Sequence, residues 1–208
     1  RRGYPAAAIR QFCRDIGTTR TNSRQSIEAL ESYVRRDLNA GAQRRMAVLR
    51  PLKLVLTNWP QGQVDHFEVA NNPENPADGV RSVAFTGQLW IEAEDFAEVP
   101  PPKFFRLSVG REVRLRGAYL ITATEVVKDD AGTIEQVNAT FDPESRGGNS
   151  PDGRKVKSTM HWVSASHAVA GTVALYDRLF SAAVPGERTG EPLDDLNPSA
   201  RELLTNCR

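Results

Sequence analysis

Cysteine and histidine are scarce in this chain of 208 residues. Its two cysteines, Cys13 and Cys207, lie near opposite ends, and two cysteines without a second pair give neither a disulfide framework nor a zinc-binding pattern. The three histidines are too scattered along the sequence to form a ligand cluster by spacing. We therefore predict no metal site and a reducing, cytoplasmic setting for the chain.

Long apolar runs are absent as well. No stretch approaches the ~20 apolar residues that cross a bilayer, so we expect no membrane partner. Arg10, Arg14 and Asp15 interrupt the N-terminal segment, which excludes the apolar core of a signal peptide. The first residue is arginine rather than methionine, and we expect the chain to be a piece of a longer protein.

The motifs that bind nucleotide phosphates are also missing. Neither G-x-x-x-x-G-K-[ST] nor G-x-G-x-x-G after a strand occurs, and the glycine-rich stretch GGNSPDGRK fits neither spacing. Ser164 and Ser166 neighbour His167, but a catalytic triad is assembled across a fold, so we interpret His167 as a packing or hydrogen-bonding residue. The sequence predicts no catalytic residue and no cofactor for this chain.

The composition is that of a globular protein, with charge distributed unevenly. Hydrophobic residues make up 39% and charged residues 25%, enough for one large domain or two small ones. The net charge is only +1, yet residues 1–53 hold 12 Lys and Arg against 4 Asp and Glu, and residues 100–128 hold 6 against 2. The segments between and after these are acidic. Nucleic acid would be attracted to the two basic segments, although uneven charge is also common in proteins without such a partner.

Two helices are predicted at the N-terminus. An apolar stripe over residues 9–16 has helical spacing, with Pro5 suited to the first turn and Gly17 to the end. A second stripe over residues 27–38 predicts another helix that stops at Gly41. Together they indicate a small helical hairpin.

From Met46 the pattern changes to short apolar runs separated by turn residues. Many short strands with few helical stripes are typical of a barrel or sandwich. Pro51 places the first strand at a sheet edge or a bulge, and DDAG at residues 129–132 predicts a hairpin turn. After Phe180 the sequence resembles a linker followed by an incomplete element. We predict a mainly β fold with a small N-terminal helical hairpin.

Arginines and aromatic residues are concentrated in residues 103–119. In the stretch GREVRLRGAYL, alternation along a strand places Arg114 and Arg116 on one face and Arg111 on the other. Unpaired RNA bases are bound by this combination, with aromatic rings for stacking and arginines for base edges and phosphates. The same residues also fit a barrel with an aromatic core and a solvated arginine face, and alternation allows Phe105 to point inward.

Seven stretches resemble the carboxy-terminal half of the bacterial-type glutaminyl-tRNA synthetases: RRGYPAAAIRQFC, LESYVRRDLN, MAVLRPLKLVL, GREVRLRGAY, DGRKVK, HWVSASHA and LYDRLFS. The resemblance runs from Arg1 to about Pro198 and is most specific in HWVSASHA and LYDRLF. It implies a helical connecting subdomain at residues 1–45 and a proximal anticodon-binding β-barrel, similar in fold to ribosomal protein L25, at residues 46–158. Residues 159–208 would be a linker and the beginning of an incomplete distal barrel.

This family joins glutamine to its tRNA using ATP and magnesium, in a catalytic domain whose signatures do not occur here. The resemblance implies that the chain recognises the three anticodon bases of a glutamine tRNA and binds no cofactor itself, and we expect a monomer. The predicted RNA-binding residues are Arg44 for the middle base, Arg114 and Arg116 for the first, Arg106 for the third, Arg20 at the inner limb of the anticodon stem, and Lys103.

The chain differs from the family pattern at two positions, and the sequence leaves alternative functions open. Lys103 stands where the family commonly has glutamine, and Phe105 where it commonly has lysine, so no role is assigned to Phe105. The alternatives are the equivalent region of an archaeal or eukaryotic-type glutamyl-tRNA synthetase, a stand-alone RNA-binding barrel akin to the ribosomal one, and a barrel with a purely structural role.

Overall fold

The computed structural model describes residues 3–150 and 152–208 and divides the chain into two compact units. The helical unit comprises the chain up to Arg45 together with Ala70–Arg81. The sheet unit comprises Met46–Val69 and Ser82–Arg208. Residues 1, 2 and 151, which belong to the first quoted motif and to the glycine-rich loop, lie outside the described residues.

The helical unit contains the two predicted helices, α1 (Ala6–Ile16) and α2 (Ile27–Gly41). α1 begins after Pro5 and ends at Gly17, whose positive φ of 69° lets its N–H donate to the Cys13 carbonyl at 3.2 Å. Both helices confirm the prediction from apolar spacing.

Local contacts hold this unit together. The rings of Phe12 and Tyr33 meet edge to face with their centroids 5.6 Å apart, which joins α1 to α2. The hydroxyl of Ser26 accepts a hydrogen bond from the N–H of Ala29 at 3.3 Å and caps the first turn of α2. No helix in the described part of the chain is long and apolar enough to cross a membrane.

Strands dominate the sheet unit, which confirms the mainly β fold. The predicted DDAG turn is present, with the N–H of Asp129 donating to the Thr133 carbonyl at 2.9 Å. The described residues form eleven strands: β1 (Pro51–Leu56), β2 (Asp65–Ala70), β3 (Val80–Phe85), β4 (Gln88–Glu92), β5 (Glu112–Leu115), β6 (Leu120–Lys128), β7 (Ile134–Phe141), β8 (Thr159–Met160), β9 (Val163–Ser164), β10 (Gly171–Tyr176) and β11 (Arg201–Cys207).

Seven strands form one curled sheet in the order β8-β5-β6-β7-β1-β4-β9. β1 pairs antiparallel with β4 and parallel with β7, so it lies inside the sheet, and the predicted edge or bulge at Pro51 is wrong. Proline is tolerated there because Pro51 is the first residue of the strand, where its missing N–H does not interrupt the ladder. β10 and β11 form a separate two-stranded sheet, as do β2 and β3.

The extended stretch predicted before β5 is largely irregular. Residues 103–111 form no strand, and their ladder contacts are the isolated bridges of Leu107 with Phe96 and of Val109 with Ala123. The side chain of Leu107 is nevertheless fully buried in the core. β5 ends at Leu115, so Arg116 begins a turn rather than continuing the strand. Within β5 the predicted alternation is confirmed, since Val113 and Leu115 are buried and Arg114 between them is only half-buried.

An aromatic cluster forms the core of the sheet unit. Phe85 is fully buried, and its ring centroid lies 5.0 Å from that of Trp59, 5.3 Å from Tyr119 and 4.8 Å from Trp162. Trp162 is also fully buried. Aromatic pairs at these distances contribute to stability beyond the area they bury.

Candidate nucleic-acid interface

Arg116 is displayed by a turn that is anchored to the core. Its N–H donates to the Met160 carbonyl at 2.8 Å, and its carbonyl accepts a hydrogen bond from the indole Nε1 of Trp162 at 3.1 Å. The buried Trp162 belongs to HWVSASHA, so this motif positions the backbone of Arg116. The Arg116 side chain is exposed and has no hydrogen-bond or ion-pair partner within residues 3–150 and 152–208. It is therefore available to an anion or a base edge.

Arg114, on β5, is half-buried and partly engaged. Its Nε donates to the carbonyl of Gly148, in the loop that follows β7. A Cβ at position 148 would lie 3.0 Å from Cδ of Arg114, and Gly148 has a φ of +84°, so both the close approach and the backbone favour glycine. The terminal nitrogens of Arg114 have no partner among the described residues, which leaves donors for a ligand.

Arg106 is paired with the buried carboxylate of Asp95. Oδ1 of Asp95 accepts a hydrogen bond from the guanidinium, whereas Oδ2 is buried without a partner in the part of the chain that the structure describes. The Asp95 side chain is only 5% exposed, and that of Arg106 is 53% exposed. A buried carboxylate needs a paired cation, so Arg106 is held in place with half of its surface in solvent. Sequence reasoning missed Asp95, because no local pattern links it to Arg106.

Lys103 lies in a turn with an unusual backbone conformation. Its φ is +67°, and among the described non-glycine residues it alone has a positive φ. The N–H of Phe104 donates to the Pro101 carbonyl at 3.1 Å, which makes Lys103 the third residue of a β-turn, where glycine or asparagine is preferred. The Lys103 side chain is exposed.

Arg44 and Arg20 belong to the helical unit. The guanidinium of Arg44 donates to the carbonyls of Ala42 at 2.9 Å and Asn39 at 3.3 Å, and Glu74 lies 3.9 Å from its Nη2. The last carbonyls of a helix lack intrahelical partners, so Arg44 stabilises the end of α2. Arg20 is exposed in the connection between the helices.

The neighbouring aromatic residues divide into core and surface. Tyr119 is buried, and its hydroxyl donates to Oδ2 of Asp65 at 2.8 Å. Phe105 is 53% exposed, so the inward position that alternation allowed is wrong. The reason is that Phe105 is not in a strand; the guanidinium of Arg111 holds the preceding carbonyl, that of Phe104.

Asp65, Tyr119 and Arg146 form a hydrogen-bonded network beside the core. Arg146 donates from Nε to Oδ2 and from Nη2 to Oδ1 of Asp65, both at 2.9 Å. These bonds to Arg146 lower the pKa of Asp65 to about 2. Burial, followed by the hydrogen bond to Asp65, raises the pKa of Tyr119 to about 12. At neutral pH the carboxylate is therefore ionised and the phenol is neutral, as their hydrogen bond requires.

The serine and histidine cluster has the hydrogen-bonding role predicted for it. Nδ1 of His167 lies 3.0 Å from the Ser164 hydroxyl and 3.1 Å from that of Ser166. The Ser164 hydroxyl is also 3.0 Å from that of Thr86, which joins β9 to the connection between β3 and β4. In residues 3–150 and 152–208 no group of three or more His, Cys, Asp or Glu is placed to hold a metal ion.

Two protein-family models match the sequence of this chain. The model described as tRNA synthetases class I (E and Q), anti-codon binding domain, matches residues 42–142. A second model with the same description matches residues 159–208. The chain therefore belongs to the anticodon-binding domains of the class I tRNA synthetases of the E and Q type.

The chain is similar to glutamine–tRNA ligases of several organisms. It is 49% identical to that of Nitrobacter winogradskyi over 207 residues, covering 100% of this chain and 37% of the relative. For Rhodopirellula baltica the identity is 49% over 207 residues, covering 99% and 34%. For Clostridium kluyveri it is 43% over 207 residues, covering 98% and 37%. The chain thus spans about a third of the length of these curated relatives.

Proposed function

We propose that this chain binds the unpaired anticodon bases of a glutamine tRNA, as part of a glutamine–tRNA ligase. The observation that carries the proposal is the exposed guanidinium of Arg116, which has no partner among the described residues and lies on a turn held by the buried Trp162. An arginine whose backbone is fixed, and whose guanidinium has no partner among the described residues, can present a planar set of donors to a base or phosphate. The E and Q family supports a tRNA partner, and the names of the relatives support glutamine rather than glutamate.

The six predicted residues keep their assignments in this proposal. Arg114 retains its terminal nitrogens for the first base, and Arg106 is oriented by Asp95. The guanidinium of Arg44 donates to carbonyls at the end of α2, and some of these hydrogen bonds would be replaced by hydrogen bonds to the middle base. The assignments are Arg114 and Arg116 at the first anticodon base, Arg44 at the middle base, Arg106 at the third and Arg20 at the inner limb of the stem. Lys103 stays an RNA-binding residue to which no base is assigned.

The activity of the whole protein belongs to the same proposal. It would join glutamine to tRNA with ATP and magnesium, which the family uses in its catalytic domain, and would act as a cytoplasmic monomer. The division into residues 1–45, 46–158 and 159–208 stays a prediction. The second family model begins at residue 159, whereas β8 and β9, residues 159–164, pair within the seven-stranded sheet.

The test compares cognate tRNA with tRNA whose anticodon is changed, in binding titrations with this chain. Arg116→Ala and Arg44→Ala should reduce discrimination between the two by about 1–3 kcal/mol, more than they reduce general affinity. Arg188→Ala is the control, because Arg188 is also exposed and has no partner among the described residues, and it lies in another part of the sheet unit. Equal losses on both tRNAs would contradict the proposal.

A further inference from the structure

Phe105 is an exposed aromatic residue next to the predicted contact residues. A single exposed apolar side chain needs no explanation by itself, so its surroundings decide its meaning. The ammonium of Lys157 lies 5.3 Å from the centroid of the Phe105 ring, within the range of a cation–π interaction. The ring therefore combines an open surface with an adjacent positive charge.

The backbone on both sides of Phe105 is held in place. On one side the guanidinium of Arg111 donates to the Phe104 carbonyl. On the other side, Arg106 is paired with Asp95, and the N–H of Leu107 donates to the Asp95 carbonyl at 3.0 Å. A ring presented from such a segment loses little conformational freedom when it binds a ligand.

A cavity of about 320 Å³ lies beside the ring, at the lower end of the size of ligand pockets. Its lining includes Phe105, Glu112 and Lys155, and Glu112 is ion-paired with Arg154 at 2.8 Å. Lys155 and Lys157 are exposed and have no carboxylate partner among the described residues. Uncompensated positive charge therefore surrounds an aromatic surface.

The lysines lie beside the strand that presents Arg114. The N–H of Arg114 donates to the Ser158 carbonyl at 2.9 Å, and β8, which begins at Thr159, pairs with β5 in parallel. Alternating residues 155 and 157 are exposed, whereas Val156 between them is half-buried. An RNA strand that contacts Arg114 would therefore pass near both lysines.

We infer that Phe105, Lys155 and Lys157 form a stacking site for one unpaired RNA base and its phosphate. The inference rests on the proposed function, and it adds to the predicted arginine contacts a specific aromatic residue, Phe105, and two lysines to which the sequence assigned no role. Stacking on an aromatic ring is tolerant of base identity, because every base has a π-face. The site thus contributes affinity and fixes the path of the loop, whereas the arginines read the bases.

The test uses a cognate anticodon stem-loop RNA and derivatives in which one loop base at a time is abasic. With the native chain, one abasic derivative should bind about tenfold more weakly because it cannot stack on Phe105. Phe105→Leu should bind the intact RNA about tenfold more weakly, yet bind that one derivative as well as the native chain does. Leu203→Ala is the matched control, since Leu203 is 52% exposed and lies on β11.

The lysines are tested by salt dependence. The double variant Lys155→Gln with Lys157→Gln should reduce the slope of log affinity against log salt by about 0.7 for each phosphate that a lysine no longer neutralises. Both side chains are exposed, so this variant tests the site even if Phe105→Leu disturbs folding.

The inference would be overturned if the affinity of Phe105→Leu stayed within twofold of that of the native chain for all RNAs. It would also be overturned if Phe105→Leu lost the same amount of affinity for every abasic derivative. An unchanged salt slope in the lysine variant would also overturn it. If one of these outcomes occurs while Arg116→Ala still weakens the discrimination between cognate and altered anticodons, the proposed function is retained and only the stacking site is rejected. If the native chain binds cognate and altered loops equally well, the proposed function and the stacking site are both rejected.

Discussion

The helical unit and the sheet unit are stabilised in different ways. Among the described residues of the helical unit only Ala8, Val34 and Asn72 are buried. The sheet unit instead has a continuous apolar core around Phe85 and Trp162. A helix pair with so little burial depends on caps and side-chain hydrogen bonds, whereas the sheet unit depends on packing.

The same contrast applies to the arginines of the two units. Arg116 is anchored through the buried Trp162, and Arg106 through the buried Asp95. Arg44 is anchored to the exposed end of α2 instead. The predicted RNA-binding residues Arg116 and Arg106 therefore take their positions from buried groups of the sheet unit, and changes to its core should affect them first.

The largest expected effect comes from opening a cavity in the sheet unit. Phe85→Ala should lower the free energy of unfolding by about 3–5 kcal/mol. All three tryptophans, residues 59, 90 and 162, lie in this unit. Urea unfolding followed by tryptophan fluorescence therefore measures the free energy of unfolding of the sheet unit. Leu203→Ala should change the same free energy by less than about 0.5 kcal/mol. A similar loss in both variants would show that burial in this core does not set the stability of the unit.

Removing the charge of Asp65 should give the next largest effect. Asp65→Asn should cost about 1–3 kcal/mol at pH 7, because Arg146 loses its carboxylate partner. The pKa of Asp65 is lowered in the folded protein, so its contribution is complete above about pH 5 and is lost as the pH falls towards about 2. The variant should therefore lose less stability than the native chain between pH 4 and pH 3, in urea titrations followed by fluorescence. Glu135→Gln removes an exposed carboxylate on β7 and should change the free energy of unfolding at pH 7 by less than about 0.5 kcal/mol. A native-like acid slope in Asp65→Asn would contradict the role of Arg146.

A smaller effect should be confined to the helical unit. Ser26→Ala removes the N-cap of α2 and should cost about 1 kcal/mol of helix stability, whereas Ser26→Asp should retain the cap. Circular dichroism at 222 nm should show the loss, while the fluorescence midpoint of the sheet unit stays unchanged. Equal shifts of both signals would mean that the two units unfold together and are not stabilised separately.

The smallest effect concerns the turn at Lys103. Lys103→Val should be less stable than Lys103→Gly by about 1 kcal/mol, because a β-branched residue is strained at a φ of +67°. The comparison uses urea midpoints of the two variants, both of which lack the lysine charge. Equal midpoints would indicate that the turn changes its conformation to fit the side chain.

Local signals account for what the sequence predicted well. Helical spacing with Gly17 at its end defined α1, and the DDAG stretch defined the turn between β6 and β7. The position of Pro51 was predicted wrongly, because a proline shows where a ladder hydrogen bond is missing but not which strands lie on either side. The parallel pairing of β1 with β7 joins segments about eighty residues apart, and no local pattern encodes it.

Residue types and their alternation determined that the protein is mainly β and that Arg114 lies between buried positions of one strand. Tertiary structure alone decided that Tyr119 is core, that Phe105 is surface, and that Arg106 meets Asp95. The physical reason is that periodicity depends on neighbouring residues of one chain segment. Burial and ion pairing depend on which distant segments the fold brings together, and those contacts exist only once the sheet has formed.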